Sequence, residues 1–170
     1  MGTRQMRSPR PIAEWSDRSR RRLGWCMFAL GVLIAVGLGT WATAAEPMRG
    51  TMRSVDDGDS FQLCQGQRCV RVRLCGIDAP ERRDARYAEA KTALRSLLAG
   101  KPITCRVVGN GTPCDGRSKP KNRDRSIAQC FLPDGSDVAA HMVRRRLACD
   151  WETYSGGHYA RTAGGFICSR

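Results

Sequence analysis

The sequence contains no Cys-x-x-Cys pair, and its two histidines, His141 and His158, stand apart along the chain. This pattern disfavours a structural zinc site, which normally takes clustered Cys and His ligands. No internal repeat is visible either. At 170 residues, the chain is therefore expected to form one folded unit of ordinary size.

Charge is absent from residues 23–45, whereas the preceding 22 residues contain seven arginines. An apolar segment behind a basic one is typical of a signal peptide or membrane anchor, and the alternative is a buried core helix. The small residues at 42–44 fit a cleavage site. We therefore predict a leader over residues 1–45 and an exported domain over residues 46–170. That domain would be periplasmic or extracellular, or held at the inner membrane by residues 23–45.

Eight of the nine cysteines lie in residues 46–170. An even number of cysteines in a small exported domain predicts up to four disulfides, although eight cysteines allow 105 connectivities. Three pairs are expected from their positions on the predicted elements. One crosses a hairpin, one joins consecutive strands, and one ties the tail to the last helix: Cys64 with Cys69, Cys105 with Cys130, and Cys149 with Cys168.

The predicted exported domain is basic, with 22 Lys and Arg against 14 Asp and Glu and a net charge of +8. Such a charge attracts polyanions, so nucleic acid is a natural partner. A solubilising surface and adhesion to an anionic envelope are the alternatives that charge leaves open.

The hydrophobic pattern predicts a β-rich α+β domain in which the strands form a small closed barrel. On the strand over residues 69–77, Val70, Val72 and Leu74 should face the core, while Arg71 and Arg73 alternate with them. Strands are predicted over 52–55, 60–64, 69–77, 103–108 and 126–132, and helices over 87–98 and 138–146, the second capped by Asp137. The tail over 156–170 shows no strong pattern.

Two short segments, residues 55–60 and 73–81, concentrate the chemistry, and they contain Asp57-Gly58-Asp59-Ser60 and Asp78-Ala79-Pro80-Glu81. Asp-Gly-Asp alone is most often a hairpin turn. The second segment, however, holds two carboxylates at the end of a strand, where they repel each other unless a cation lies among them. Hard oxygen ligands suit calcium.

These segments resemble those of the thermonuclease, or staphylococcal-nuclease-like, family in order and spacing. Later parts of the resemblance are Arg125-x-Ile-Ala, Asp134-Gly135-x-Asp-Val138 and Met142-Val143-Arg144, and together they cover about residues 50–160. The resemblance implies a five-stranded OB-type β-barrel with two or three short helices. It also implies that Asp59, Asp78 and the main-chain carbonyl of Ala79 bind Ca²⁺.

In the same resemblance, Glu81 orients or deprotonates the attacking water, and Arg73 and Arg125 bind the phosphate and stabilise the transition state. The expected protein is a monomeric calcium-dependent endonuclease that cuts DNA and RNA, preferentially single-stranded, with little sequence specificity. The alternatives are a catalytically silent OB-type module that binds nucleic acid or another polyanion, and a disulfide-rich envelope protein.

Three features depart from the family pattern. Residues 121–125 lack the tyrosine and glycine usual before the second arginine, so weaker base stacking is expected there. Arg146 replaces a glycine usual after the second helix. From the residues up to Arg170, the charged C-terminal helix typical of relatives is not expected here.

Overall fold

The structure, a computed structural model, describes residues 45–169. The strands in these residues are β1 (Met48–Asp57), β2 (Ser60–Gln65), β3 (Arg68–Leu74), β4 (Ile77–Asp78), β5 (Pro102–Val107), β6 (Lys121–Asn122), β7 (Arg125–Phe131) and β8 (Cys149–Asp150). The helices are α1 (Tyr87–Leu98), α2 (Val138–Arg144), α3 (Glu152–Ser155) and α4 (His158–Ala163). The predicted leader lies outside the described residues.

Five of the strands close into a barrel. Antiparallel pairing runs in the order β3-β2-β1-β5-β7, and parallel pairing between β3 and β7 completes the ring. Strand β6 extends β7 as a short hairpin. The α+β fold with a five-stranded OB-type barrel is thus confirmed, with four helices rather than two or three in the described part of the chain.

The barrel interior is filled from the strands and closed by α1. Phe61, Val72 and Leu74 are buried from the strand side, and Leu94 and Leu98 are buried from α1. Each fully buried side chain of this size contributes about 1.5–3 kcal/mol relative to exposure. The sequence pattern predicts Val70 in the barrel interior, but its side chain is 41% exposed. Val70 lies near the hairpin end of β3, beyond the covered part of the barrel.

The predicted strand over 69–77 is broken at Gly76, which has a φ of +71°. A Cβ there would lie 2.8 Å from the Ser155 Cβ and 3.0 Å from the Cys114 Sγ, so only glycine fits. Strand β3 therefore ends at Leu74, and β4 pairs outside the barrel with β8. This break moves Asp78 out of the barrel wall.

Helix α2 begins at the predicted cap, where Asp137 Oδ1 accepts hydrogen bonds from the backbone N–H groups of Ala139 (2.7 Å) and Ala140 (3.3 Å). It ends at Arg144 rather than at residue 146. Arg146 has a φ of +55° and so cannot continue a right-handed helix.

The tail contains a helix that the sequence pattern did not indicate. In α4, Tyr159 is fully buried, and its hydroxyl donates a hydrogen bond of 3.3 Å to Asp137 Oδ2. Burial, and then the charge of Asp137, raises the pKa of Tyr159, so the hydroxyl stays protonated. The tail is therefore packed onto α2 through this side chain.

Four disulfides join all eight cysteines of residues 46–170. The three expected pairs are present, together with a fourth that joins the end of β3 to the long loop after β5: Cys64–Cys69, Cys105–Cys130, Cys149–Cys168 and Cys75–Cys114. Within residues 45–169, no helix combines the length and the apolar character needed to cross a bilayer.

Candidate active site

A tight turn between β1 and β2 brings Asp59 into the interior, where it is only 2% exposed. The preceding Gly58 packs under α1, and a Cβ at this position would lie 2.7 Å from the Ala79 Cβ and 2.8 Å from the Ala90 Cβ. The absence of a side chain at Gly58 thus lets the turn approach the helix closely.

The Asp59 carboxylate is held from several sides. Ser60 Oγ donates to Oδ1 at 2.8 Å, and the backbone N–H of Ala79 donates to Oδ2 at 3.1 Å. Arg73 approaches it with two nitrogens, Nη1 at 3.0 Å from Oδ1 and Nη2 at 2.9 Å from Oδ2. Burial raises the pKa of Asp59 to about 7, and the charge of Asp57 adds to this effect, while Arg73 opposes it.

Arg73 also bridges to the second predicted carboxylate, with Nη2 at 3.2 Å from Asp78 Oδ1. One guanidinium therefore lies between Asp59 and Asp78, an arrangement that its fork of donors makes possible. Cys149 and Cys168 lie close to Asp78, but their sulfurs are joined in a disulfide and are not thiolate ligands for a metal.

Arg125 starts β7 and reaches the same cluster through a hydroxyl. Its Nη1 donates to Ser60 Oγ at 3.5 Å, and the Ser60 hydroxyl in turn contacts Asp59. A two-residue turn precedes Arg125, and Arg123 in this turn has a φ of +56°. The turn is thus made without the glycine usual in the family.

Glu81 lies on an exposed turn after β4. Its backbone N–H donates to Asp84 Oδ2 at 2.6 Å, and this contact holds the turn. Ala79, predicted as a main-chain ligand, is buried between the two acidic segments beside Asp59.

A cleft of about 530 Å³ opens over these residues. Four of the six predicted site residues line it, namely Arg73, Asp78, Glu81 and Arg125. Asp59 lies behind Arg73, and Ala79 borders a neighbouring cleft of about 380 Å³ that also contains Asp78 and Glu81. The structure therefore brings together residues that are up to 66 positions apart in the sequence.

Sequence reasoning missed two further components of the cleft. One is a basic rim from the long loop and β6, formed by Arg117, Lys119 and Lys121. The other is an aromatic pair, Trp151 and Tyr154, whose ring centroids lie 4.7 Å apart at an interplanar angle of 79°. These two aromatic residues follow no hydrophobic period, although the sequence places them shortly after the Met142-Val143-Arg144 motif.

A basic cleft with two arginines beside carboxylates, on an OB-type barrel, defines a protein suited to a phosphate-bearing ligand. A sequence profile described as staphylococcal nuclease homologue matches residues 71–163, more than half of the chain. The chain belongs to this family.

Individual relatives agree with this assignment. The chain is 28% identical over 116 residues to proteins named "Uncharacterized endonuclease" from Escherichia coli O157:H7 and from Escherichia coli, covering 68% of this chain and 69% of each relative. It is 39% identical over 70 residues to the Escherichia coli "Protein ParB", covering 41% of this chain and 37% of that protein. The family and the two relatives named endonuclease support a nuclease, that is, a phosphodiester hydrolase.

Proposed function

We propose that this protein is a calcium-dependent endonuclease that hydrolyses phosphodiester bonds of DNA and RNA with little sequence specificity. The observation that carries the proposal is the basic cleft in which Arg73, Arg125, Asp78 and Glu81 meet. In the proposed role Arg73 and Arg125 bind the phosphate, and contacts to phosphate carry no direct sequence information. Cleavage without strong sequence preference follows from this composition.

The donor set supports a calcium ion. Asp59, Asp78 and the Ala79 carbonyl offer hard oxygen ligands, the kind that Ca²⁺ takes in proteins. In the structure the two carboxylates share one cation, the Arg73 guanidinium. When bound, the ion would supply positive charge that neutralises the phosphate and lowers the cost of approach by an anionic nucleophile.

The chain's own residues supply the remaining functions. The guanidinium groups of Arg73 and Arg125 bind the phosphate oxygens and stabilise the charge that grows in the transition state. Glu81, at the exposed edge of the cleft, orients or deprotonates the attacking water. Attack in line with the leaving 5′ oxygen would then give products with 3′ phosphates, as in the family that the motifs resemble.

The aromatic pair supports a preference for single strands. Bases exposed in a single strand stack on aromatic side chains, at about 1–3 kcal/mol per base, whereas bases in a duplex are already stacked. Trp151 and Tyr154 offer such surfaces at the cleft. They supply aromatic rings despite the missing tyrosine before Arg125, so the stacking lost there has a replacement.

Export of the domain is supported by its four disulfides, since such bonds persist in oxidising compartments. We further propose that residues 1–45 act as a signal peptide or membrane anchor, and that the enzyme works as a monomer outside the cytoplasm.

The test is cleavage of denatured DNA by the oxidised full-length protein, with calcium or with a chelator. We expect cleavage with calcium and none with the chelator. Glu81→Gln should lower kcat at least about hundredfold, since general-base contributions reach 10²–10⁴. Its matched control is Glu89→Gln, an exposed glutamate on α1 that lines neither the 530 Å³ cleft nor the 380 Å³ cleft.

Two results would contradict the proposal. Binding of denatured DNA without cleavage, with or without calcium, would favour the silent OB-type module. Equal rates with calcium and with chelator would exclude the metal dependence.

A further inference from the structure

Another cleft, distinct from the 380 Å³ cleft beside Ala79, adjoins the 530 Å³ cleft at Glu81. We call the 530 Å³ cleft the first cleft and this one the second. The second cleft has a volume of about 430 Å³ and, like the first, it is lined by Glu81. Its other walls are formed by the end of β1, by Arg71, by the start of α1 and by the turn that follows Glu81: Val55, Asp56, Asp57, Arg71, Arg82, Arg83, Tyr87 and Lys91. A strand that leaves the first cleft past Glu81 can therefore continue into the second.

Three acidic residues line this second cleft, and two of them, Asp56 and Asp57, accept hydrogen bonds while the third is Glu81. Asp56 Oδ2 accepts hydrogen bonds from Arg71 Nη2 at 3.0 Å and from Nε at 3.1 Å. Asp57 Oδ1 accepts a hydrogen bond of 3.3 Å from the backbone N–H of Asp59. Arg71 is likewise engaged, because its Nη1 also contacts Asp124 Oδ2 at 2.5 Å.

Arg82 and Arg83 differ from these groups. Both are exposed, and within residues 45–169 neither side chain makes a hydrogen bond or ion pair. On the opposite wall, Lys91 Nζ lies 5.6 Å from the centroid of the Tyr87 ring and 3.4 Å from its hydroxyl oxygen. Two uncommitted guanidinium groups thus face a cleft in which the carboxylates of Asp56 and Asp57 are satisfied.

We propose that Arg82 and Arg83 form a second phosphate-binding subsite, which holds the polynucleotide backbone on the far side of Glu81 from Lys119 and Lys121. This inference rests on the proposed nuclease function and extends it. The guanidinium fork matches phosphate oxygens in a bidentate geometry, which gives these residues a natural ligand in a flanking phosphodiester.

The consequence is a strand held on both sides of the reacting phosphate. The rim of Arg117, Lys119 and Lys121 would bind one flank, and Arg82 with Arg83 the other. A substrate with nucleotides on both flanks then makes more phosphate contacts than one that ends at the scissile bond. Internal cutting of long strands follows from this arrangement.

The test compares wild-type protein with the double variant Arg82→Ala/Arg83→Ala. Binding to a single-stranded oligonucleotide of about 20 residues is measured in chelator over a range of salt concentrations. Two lost contacts should reduce the slope of log K against log salt by about 1.4, because each contact on a single strand contributes about 0.7. The ratio of the protein's affinity for the long strand to its affinity for a thymidine dinucleotide should fall about tenfold in the double variant.

The matched control is Arg144→Ala/Arg145→Ala, which removes two adjacent exposed arginines that line none of the three clefts. It should keep the wild-type slope. A second variant, Arg82→Lys/Arg83→Lys, keeps the charges and should restore most of the slope.

The outcomes separate the subsite from the function on which it rests. Equal loss in both alanine double variants would show only an effect of total charge and would overturn the subsite. The subsite would also be overturned if Arg82→Ala/Arg83→Ala kept the wild-type salt slope and the wild-type dependence of affinity on strand length. In that case, cleavage by the wild type would still support the proposed nuclease function. A wild-type protein that neither binds nor cuts DNA would overturn both.

Discussion

At the scale of single residues, Arg146 is held in a conformation that favours glycine. Its φ of +55° lies in the left-handed region, where a side chain costs about 1–2 kcal/mol. The conformation is fixed by its neighbours, because the Arg146 carbonyl accepts a hydrogen bond of 2.7 Å from Arg86 Nη1 and its N–H donates to the Val143 carbonyl at 2.9 Å. Both contacts use backbone atoms of Arg146 and would survive a change of side chain.

We therefore expect Arg146→Gly to raise the free energy of unfolding by about 0.5–1 kcal/mol, since relief of strain exceeds the added entropy of glycine. Denaturant unfolding of the oxidised protein measures the change. Arg95→Gly is the control, because Arg95 is an exposed arginine in the interior of α1, where glycine should cost about 1 kcal/mol. Similar destabilisation by both variants would show that Arg146 is not strained.

The candidate site residues could be predicted from the sequence where they lie in short motifs. Asp59, Asp78 and Arg73 were identified by order and spacing, and the structure places them in contact. That one guanidinium serves both carboxylates could not be predicted, because the contact depends on the break at Gly76. Trp151 was missed because an aromatic residue in a loop follows no period.

At the scale of elements, the long loop after β5 places the basic side chains of Arg117 and Lys119 at the first cleft. Asp115 ties its start, accepting hydrogen bonds from the N–H of Gly109 (2.6 Å), the N–H of Gly111 (2.7 Å) and the hydroxyl of Thr112 (2.6 Å). Burial of Asp115 works against its charge, but these hydrogen bonds outweigh it and lower its pKa. The Cys75–Cys114 disulfide then fixes the loop to the end of β3.

Removal of this disulfide should weaken substrate binding as well as stability. Cys75→Ala/Cys114→Ala removes a cross-link between residues 39 positions apart, which should lower the free energy of unfolding by about 4 kcal/mol. It also releases the segment that carries Arg117 and Lys119. The control is Cys64→Ala/Cys69→Ala, which removes a cross-link between residues 5 positions apart and should lower the free energy of unfolding by about 2 kcal/mol. This hairpin is distant from the long loop in sequence. We expect a higher KM for DNA only in the first variant.

Denaturant unfolding and steady-state kinetics below the unfolding transition measure the two effects. An unchanged KM in both variants would show that the loop keeps its place without the disulfide. A raised KM in both would point to a general loss of order instead.

Elements were predictable where hydrophobic periodicity was long enough. Helix α1 was predicted at its observed bounds, because four buried positions recur over its 12 residues. Helix α4 has only six residues, with Tyr159 and Ala163 as its buried positions and glycines on both sides. Such a helix depends on tertiary contacts with α2, and these are invisible in the local sequence.

At the scale of the whole molecule, three of the four disulfides join segments that are 19 to 39 residues apart, and one of them reaches the end of the described residues. Cys149–Cys168 holds the tail beside β8, where the Cys168 N–H also donates to the Asp150 carbonyl at 2.9 Å. The tail is thus fixed by the packing of Tyr159 and by a covalent bond. The sequence argument credited the covalent bond alone, because it did not anticipate α4.

The last prediction concerns stability under reducing conditions. The four bridges close separations of 5, 39, 25 and 19 residues, each worth about 2–4 kcal/mol in the chain-entropy estimate. Together they amount to roughly 13 kcal/mol, near the upper end of the range of about 5–15 kcal/mol that small proteins have in total. The fully reduced protein should therefore be largely unfolded at 25 °C, despite the added packing of α4.

Thermal unfolding with and without reductant, followed by circular dichroism, measures this loss. Thiol counting on the denatured, unreduced domain provides the check, and it should find no free thiol among the eight cysteines of residues 46–170. Reduction changes no side chain other than the cysteines, so any change in midpoint reports the loss of the cross-links. An unchanged midpoint after verified reduction would mean that the barrel and its helices suffice to hold the fold.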